Sequence, residues 1–337
     1  MLASRAELVT VAIPVYKRLQ YLPNVLDIVA RQDYPNIELL ISDNGENGDA
    51  VSRLVKEHYP RPYRFRQNPS TVEMSVHFNQ LVHEASGDYF VVLADDDEIT
   101  PNYVSELVTA LQNPKASVAM SIQQTIDESG NVLRSSRDTV PETLSSSDFI
   151  KAAWQTHEYG YESFSTFLAR TSSLRSCGGF PRLWKGTADD DAVIIKLSLG
   201  NLVAFSSRCA YRKRYSEESE GYAMPIADLA RGLREFRNFL STDPTIQSYA
   251  ALHDQEWRES KNCLTEMIWK TYYFRWIDLY RKRLTTLEWT RSAFYLPYDR
   301  AYYRAVLRIF FSEIIEALKE RLPRAYEIYR RMKPKSP

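Results

Sequence analysis

Two clusters of carboxylates carry the chemistry this chain can offer. The first, Ala94-Asp95-Asp96-Asp97-Glu98, directly follows the apolar run Tyr89 to Leu93. Four carboxylates at the end of a buried strand repel one another, which is costly unless a cation or hydrogen-bond donors compensate. Hard oxygen ligands suit Mg2+ or Mn2+, and Mg2+ takes one or two carboxylates together with substrate phosphates. The plainer alternative is an acidic turn that simply meets water, and the apolar strand ahead of the cluster weighs against it. The second cluster, Asp189-Asp190-Asp191, stands between Gly178-Gly179-Phe180 and the apolar run Val193 to Leu197. Aspartates that open a helix serve as N-caps favoured by the helix dipole. One of the three can do that, leaving a spare carboxylate as a general base for a hydroxyl proton.

The elements that must position these clusters alternate through the first half of the chain. Val9 to Val15 has the β-branched, uncharged character of a strand buried on both faces, and Tyr21 to Arg31 follows with helical spacing. Glu38 to Ser42, Tyr63 to Gln67 and Tyr89 to Ala94 read as strands; Ala50 to Tyr59 and Val76 to Ala85 read as helices. Repeated strand–helix units favour a parallel sheet in a doubly wound α/β domain, where ligands bind in the crevice at the carboxyl ends of the strands. The polar loops at Pro14 to Arg18, Asp43 to Gly48, Gln67 to Ser70 and Asp95 to Glu98 would converge there. Further on, Val104 to Leu111 reads as a helix, Ser117 to Ile122 and Phe164 to Ala169 as strands, and Ala192 to Leu199 as a helix. A looser stretch covers Arg134 to Ser147. From about Ile226 the pattern is almost wholly helical, which sets the expected division at 1–220 and 221–337.

Bulk properties bound the answer without choosing it. The 337 residues are 44% hydrophobic and 26% charged, as in ordinary globular proteins, with a formal net charge of zero. Residues 221–337 hold 21 Lys and Arg against 14 Asp and Glu, and residues 1–220 hold 22 against 29. No nucleic-acid partner is expected. Cys177, Cys209 and Cys263 form no CxxC pair, so a reducing compartment is the simpler inference. The N-terminal segment lacks a signal-peptide apolar region and no run of about 18 apolar residues occurs, so a cytoplasmic, non-spanning protein is expected. The aromatic segment Trp269, Tyr272, Tyr273, Phe274, Trp276 and Tyr280, followed by Arg281-Lys282-Arg283, has the composition of a membrane-interface helix and equally of a packed helix with a basic last turn. Val306, Ile309, Phe310 and Ile314 form an amphipathic pattern suited to docking on that helix or on a second subunit. The five histidines show no metal-ligand spacing, and no Walker A, GxGxxG or GxSxG sequence is present.

Taken together, VTVAIPVYKR, ELLISDNG, GDYFVVLADDDEITP, and CGGF followed by the aspartate triplet and Lys196 resemble the family 2 glycosyltransferases, over about residues 8 to 205. The resemblance implies a GT-A type, Rossmann-like, mainly parallel sheet followed by a helical C-terminal region. It further implies an inverting transfer from a UDP-, GDP- or dTDP-sugar to a sugar or lipid-linked sugar acceptor, with Mg2+ or Mn2+ as cofactor, in the building of a bacterial surface polysaccharide. Carried over by position, Pro14, Tyr16 and Arg18 line the nucleotide pocket, Asp43 contacts the base and Arg64 lies near the nucleotide. Asp95 and Asp96 match the DxD-type pair, the first near the ribose and the second on the metal, with Asp97 beside them able to take either role. Counting back from Lys196 makes Asp190 the catalytic base, whereas the Asp-Ala pairing of some members makes it Asp191. Ala94 stands at the usual first aspartate in one alignment, and Asn68 to Asn79 lacks the glycines common there. Two rivals remain: a non-catalytic nucleotide-binding scaffold, and a nucleotidyltransferase that also places aspartates on a metal.

Overall fold

The computed structural model describes residues 7–136, 141–155, 164–215 and 224–281. The chain divides into two compact units, Met1–Met267 and Ile268–Pro337. The first unit contains every element that positions the acidic clusters.

Strand β1 (Val9–Val15) forms because its alternate valines and isoleucine can be buried on both faces of a sheet, and Val9, Val11, Ala12, Ile13 and Val15 are all fully buried. Helix α1 (Leu22–Ala30) packs Leu22, Val25, Leu26 and Val29 against it. Then come β2 (Ile37–Asp43), α2 (Ala50–His58), β3 (Tyr63–Gln67), α3 (Met74–Glu84) and β4 (Tyr89–Val92). β1 pairs in parallel with β2 and β4, and β2 with β3. This is the doubly wound half that the alternation of apolar runs predicts.

The second half is mixed. The short β5 (Glu98–Ile99) leads to α4 (Tyr103–Ala110), β6 (Ala116–Ile126), the hairpin strand β7 (Val132–Ser135), β8 (Thr143–Leu144) and α5 (Ser146–Trp154). After a 3-10 turn at Phe164–Thr166 come β9 (Phe167–Arg170), α6 (Thr171–Ser176), α7 (Asp189–Ser198) and the long β10 (Leu202–Arg214). The sheet order is β3-β2-β1-β4-β9-β6-β10-β5. β9 lies antiparallel between β4 and β6, while β10 runs parallel to β6. The sheet is thus mainly parallel with antiparallel insertions.

Three sequence expectations need correction. The strand expected at Phe164 to Ala169 is a 3-10 turn before a shorter strand, the strand expected at Ser117 to Ile122 runs to Ile126, and α7 begins at the aspartates rather than after them. β10 was not anticipated, because its opening LVAF is followed by Ser206-Ser207-Arg208, where the pairing with β6 shifts register. Helices α8 (Ile226–Thr242) and α9 (Pro244–Leu252) belong to the first unit, and α8 buries Ala230, Leu233, Phe236 and Leu240. Helix α10 (Asp254–Arg281) crosses the division. The amphipathic pattern from Val306 lies outside the described residues.

Candidate active site

The pairing of β4 with β1 runs on for one residue past Val92, since the Leu93 N–H bonds the Ala12 carbonyl at 2.9 Å. The chain then turns, and the four carboxylates part company. Asp95 accepts the backbone N–H of Tyr16 at 3.1 Å, and Asp96 pairs with Arg18 at 3.0 Å, so both face the loop after β1. Asp97 points the other way. One of its oxygens accepts the Arg214 N–H at 2.8 Å and the other accepts the Tyr211 hydroxyl. Glu98 pairs with the Arg214 guanidinium at 2.7 Å and accepts from Asn24 at 3.0 Å. Asp97, expected beside Asp96 as a metal ligand, is therefore turned inward to anchor β10 with both oxygens engaged.

Burial, reinforced by the charge of Asp96, pushes the carboxyl groups of Asp95 and Asp97 up to about 7. Among the described residues, no three His, Cys, Asp or Glu side chains are placed to share one ion. The donor set still fits a cation that takes one or two carboxylates and finds its remaining oxygens on a substrate. Asp95 and Asp96 are adjacent hard ligands in a turn with excess negative charge, and Arg18 already lies on Asp96 as a positive partner.

The other expected donor-side residues fall into two groups. Tyr16 is 38% exposed, and its carbonyl accepts from Asn47 at 2.6 Å, which joins the loops after β1 and β2. Gly45 makes this crossing, because a Cβ there would run into the Tyr16 carbonyl. Pro14 sits past the last β4 partner of β1, where its missing N–H breaks no ladder bond. Asp43 ends β2 fully buried and accepts from the backbone N–H of Gly45 and Asn47 and from the side chains of Asn47 and Gln67. It holds the loop, and the amides of Asn47 and Gln67 must move if it is to meet a base. Arg64 is not brought to the crevice. Its guanidinium turns back to Glu38 at 3.0 Å and to the Glu84 carbonyl at 2.6 Å, away from the carboxyl ends of the strands.

The aspartate triplet opens α7. Asp189 is 1% exposed, with one oxygen accepting the Asp190 N–H at 2.9 Å and Oδ2 without a partner among the described residues. Asp190 Oδ1 accepts the Asp191 N–H at 2.9 Å, while its Oδ2 makes no hydrogen bond among the described residues. Asp191 accepts the Trp154 indole N–H at 2.9 Å. Burial raises all three, and Asp191, with Asp190 beside it, is pushed up to about 8. The turn leading to α7 is fixed by Asn79 of α3, whose amide bonds both the N–H and the carbonyl of Phe180 at 2.9 and 2.7 Å. Gly179, at φ 66°, has no room for a Cβ against that amide.

The charge of Lys213 on β10 opposes protonation of Asp97 and of Asp190, against the larger effect of their burial. Lys213, Tyr211 and Arg214, together with their strand, lie outside every sequence motif of the chain. The only signal was three basic residues in a row, Arg212-Lys213-Arg214, after Tyr211. Lys196, the basic residue that follows the aspartate triplet, is buried and pairs with Asp243 at 3.4 Å.

A doubly wound, mainly parallel sheet with acidic residues at its carboxyl edge and a second acidic run opening a later helix is the arrangement of a glycosyltransferase fold of the GT-A type. The description Glycosyl transferase family 2 matches residues 10–178, and the chain belongs to that family. It is similar to the glycosyltransferase GlyA of Streptococcus pneumoniae, with 29% identity over 122 residues that make up 36% of this chain and 17% of the relative. It is also similar to the abequosyltransferase RfbV of Salmonella typhimurium, with 29% identity over 111 residues, 32% of this chain and 33% of the relative. The chain spans only 17% to 42% of the first three curated relatives it matches. Among solved structures, S. aureus TarS 1-349 in complex with UDP-GlcNAc superposes with a TM-score of 0.60 at 16% identity, covering 85% of this chain and 79% of that one. The mannosyltransferase PcManGT from Pyrobaculum calidifontis, in complex with GDP-Man and Mn2+, gives 0.54 at 15% identity, covering 87% and 85%.

Proposed function

We propose that the protein transfers a sugar, with inversion, from a nucleoside-diphosphate sugar to an acceptor hydroxyl. The observation that carries this reading is the pair Asp95 and Asp96, turned onto the Tyr16 N–H and the Arg18 guanidinium at the carboxyl edge of the sheet in a chain of this family. In this reading Pro14, Tyr16 and Arg18, with the loop that Asp43 braces, hold the nucleotide. Asp95 lies at the ribose, and Asp96, with Asp95 beside it, would hold Mg2+ or Mn2+. The cation, when bound, would offset the charge of the departing diphosphate. Asp190 takes the proton from the acceptor hydroxyl as that oxygen bonds to the anomeric carbon and the bond to the diphosphate breaks on the opposite face. Asp190 is preferred to Asp191 because its Oδ2 is uncommitted while Asp191 is held by Trp154.

Relatives named glycosyltransferase and abequosyltransferase, and fold neighbours holding UDP-GlcNAc or GDP-Man with Mn2+, support a UDP-, GDP- or dTDP-sugar as donor and a sugar or lipid-linked sugar as acceptor, in polysaccharide synthesis. No described helix is long and apolar enough to cross a membrane. Contact with a membrane surface or a second subunit through the basic, aromatic segment from Trp269 is part of the proposal. The side chains that would make it lie largely outside the described residues.

The test is a thermal-shift panel of UDP, GDP, dTDP, CMP and ATP with and without Mn2+, joined to two variants. A ligand at a hundred times its Kd stabilises the folded state by about 2.7 kcal/mol, enough for a shift of several degrees. One nucleoside diphosphate should shift the midpoint in a metal-dependent way. Asp96→Asn should abolish that shift, while Asp190→Asn keeps it and loses at least about a hundredfold in turnover. Pyrophosphate released from a triphosphate would point to a nucleotidyltransferase instead, and no response to any nucleotide would leave a scaffold.

A further inference from the structure

The segment joining the Gly178-Gly179 turn to the aspartate triplet is strained. Lys185 at φ 50°, Gly186 at φ 69° and Ala188 at φ 60° are all left-handed, and two of the three carry a Cβ that this conformation disfavours. Ala188 is the residue that enters α7, and it offers no side-chain cap. The next residue, Asp189, buries an oxygen with no partner among the described residues. A segment with these costs would relax if nothing held it, and strain of this kind persists only where surrounding structure over-determines it.

What holds it is one stripe of α8. The Trp184 backbone N–H bonds Glu235 at 2.8 Å, and its indole N–H bonds Asp228 at 2.8 Å. The other oxygen of Asp228 takes the Lys185 ammonium at 2.8 Å. The Arg231 guanidinium lies over the Trp184 ring at 3.2 Å while its Nε reaches Glu235 at 3.1 Å. Gly232 sits so close to Thr187 that a Cβ would overlap that side chain. Residues 228, 231, 232 and 235 follow the spacing of one helix face, so a single rigid surface meets the strap from Trp184 to Thr187.

We propose that α8 is the element that positions the acid triplet, with Asp228 and Gly232 as positioning residues that set where the carboxylate of Asp190 stands. The inference rests on the reading of Asp190 as base. It gives a helix beyond the family-matched span a part in the reaction without contact to donor or acceptor. Misplacement of a catalytic group by about 1 Å, even from a distance, can cost a hundredfold in rate.

The test uses the full chain with Mn2+, reading nucleoside diphosphate released from UDP-GlcNAc, GDP-mannose and dTDP-glucose with water as acceptor. Asp228→Ala should lower kcat about 10- to 100-fold while the donor KM and the nucleoside-diphosphate thermal shift stay within about twofold. Asp228→Asn keeps an acceptor for the Trp184 indole and should return kcat to within about threefold of the parent. Gly232→Ala, which pushes on Thr187 from the same face of α8, should reproduce the kcat loss. Hydrogen exchange should rise in the peptide 184–198 of Asp228→Ala and stay unchanged in 89–99, a readout that needs no turnover. Unaltered exchange in 184–198 overturns the inference, as does kcat within twofold of the parent in both Asp228→Ala and Gly232→Ala, or loss of the nucleotide shift in both. A parent chain that releases nothing from any donor counts against the transferase reading, and the exchange comparison still decides the clamp.

Discussion

The carboxylates of this site are held in a state that opposes their own ionisation. Asp191 sits beside Asp190 under burial that pushes its carboxyl up to about 8, against the opposing hydrogen bond from the Trp154 indole N–H. The folded chain therefore keeps a proton on Asp191 that the unfolded chain releases near its ordinary value of 3.8. Because the folded state binds more protons across that window, stability falls as pH rises from about 4 and levels off above about 8. Asp95, raised to about 7, acts in the same direction. The unfolding midpoint of the ligand-free protein should be higher at pH 5.5 than at pH 8. Asp191→Asn, which keeps an acceptor for Trp154, should raise the pH 8 midpoint and flatten the slope. Midpoints measured across this range decide the point, and an unchanged slope in the variant would assign it to other groups.

At the scale of elements, β10 is the strand on which the acid turn depends. Its last residue, Arg214, has a side chain only 4% exposed that pairs with Glu98, bonds the carbonyls of Asp96, Asp127 and Glu128, and lies 4.6 Å from the centre of the Tyr21 ring. One guanidinium thus satisfies the turn after β4, the β6–β7 hairpin and the entry to α1. Removing one partner of a buried pair leaves the other charge uncompensated, so Arg214→Met should lose about 3–5 kcal/mol in urea unfolding. Arg208→Ala, which breaks only the largely exposed pair with Glu106, should lose less than about 1 kcal/mol. Equal losses in the two would deny β10 this role.

For the whole molecule, the family match ends at residue 178, before the aspartate triplet, β10 and α8. The structure nevertheless places all three in the first compact unit with the matched strands. A chain cut after Met267 should therefore stay folded and keep its nucleotide thermal shift. One cut at residue 220 exposes the surface that Ala230, Leu233, Phe236 and Leu240 cover and should aggregate or lose turnover. Light scattering and the nucleotide shift on the two chains separate these outcomes.

Local chemistry was enough to read the first half of this protein from its sequence. Apolar periodicity places β1 to β4 and their helices, and the two aspartate runs mark where charge must be compensated, because both signals depend on neighbours within a turn or a strand. The way each carboxylate faces depends on partners far along the chain, and only tertiary structure decided it. Asp97 turned inward because Arg214, 117 residues away, offers it a backbone N–H. Arg64 turned away because Glu38 and the Glu84 carbonyl hold its guanidinium. The strap before Asp189 was invisible as a feature, since nothing in Trp184-Lys185-Gly186 announces a left-handed path until α8 is packed against it.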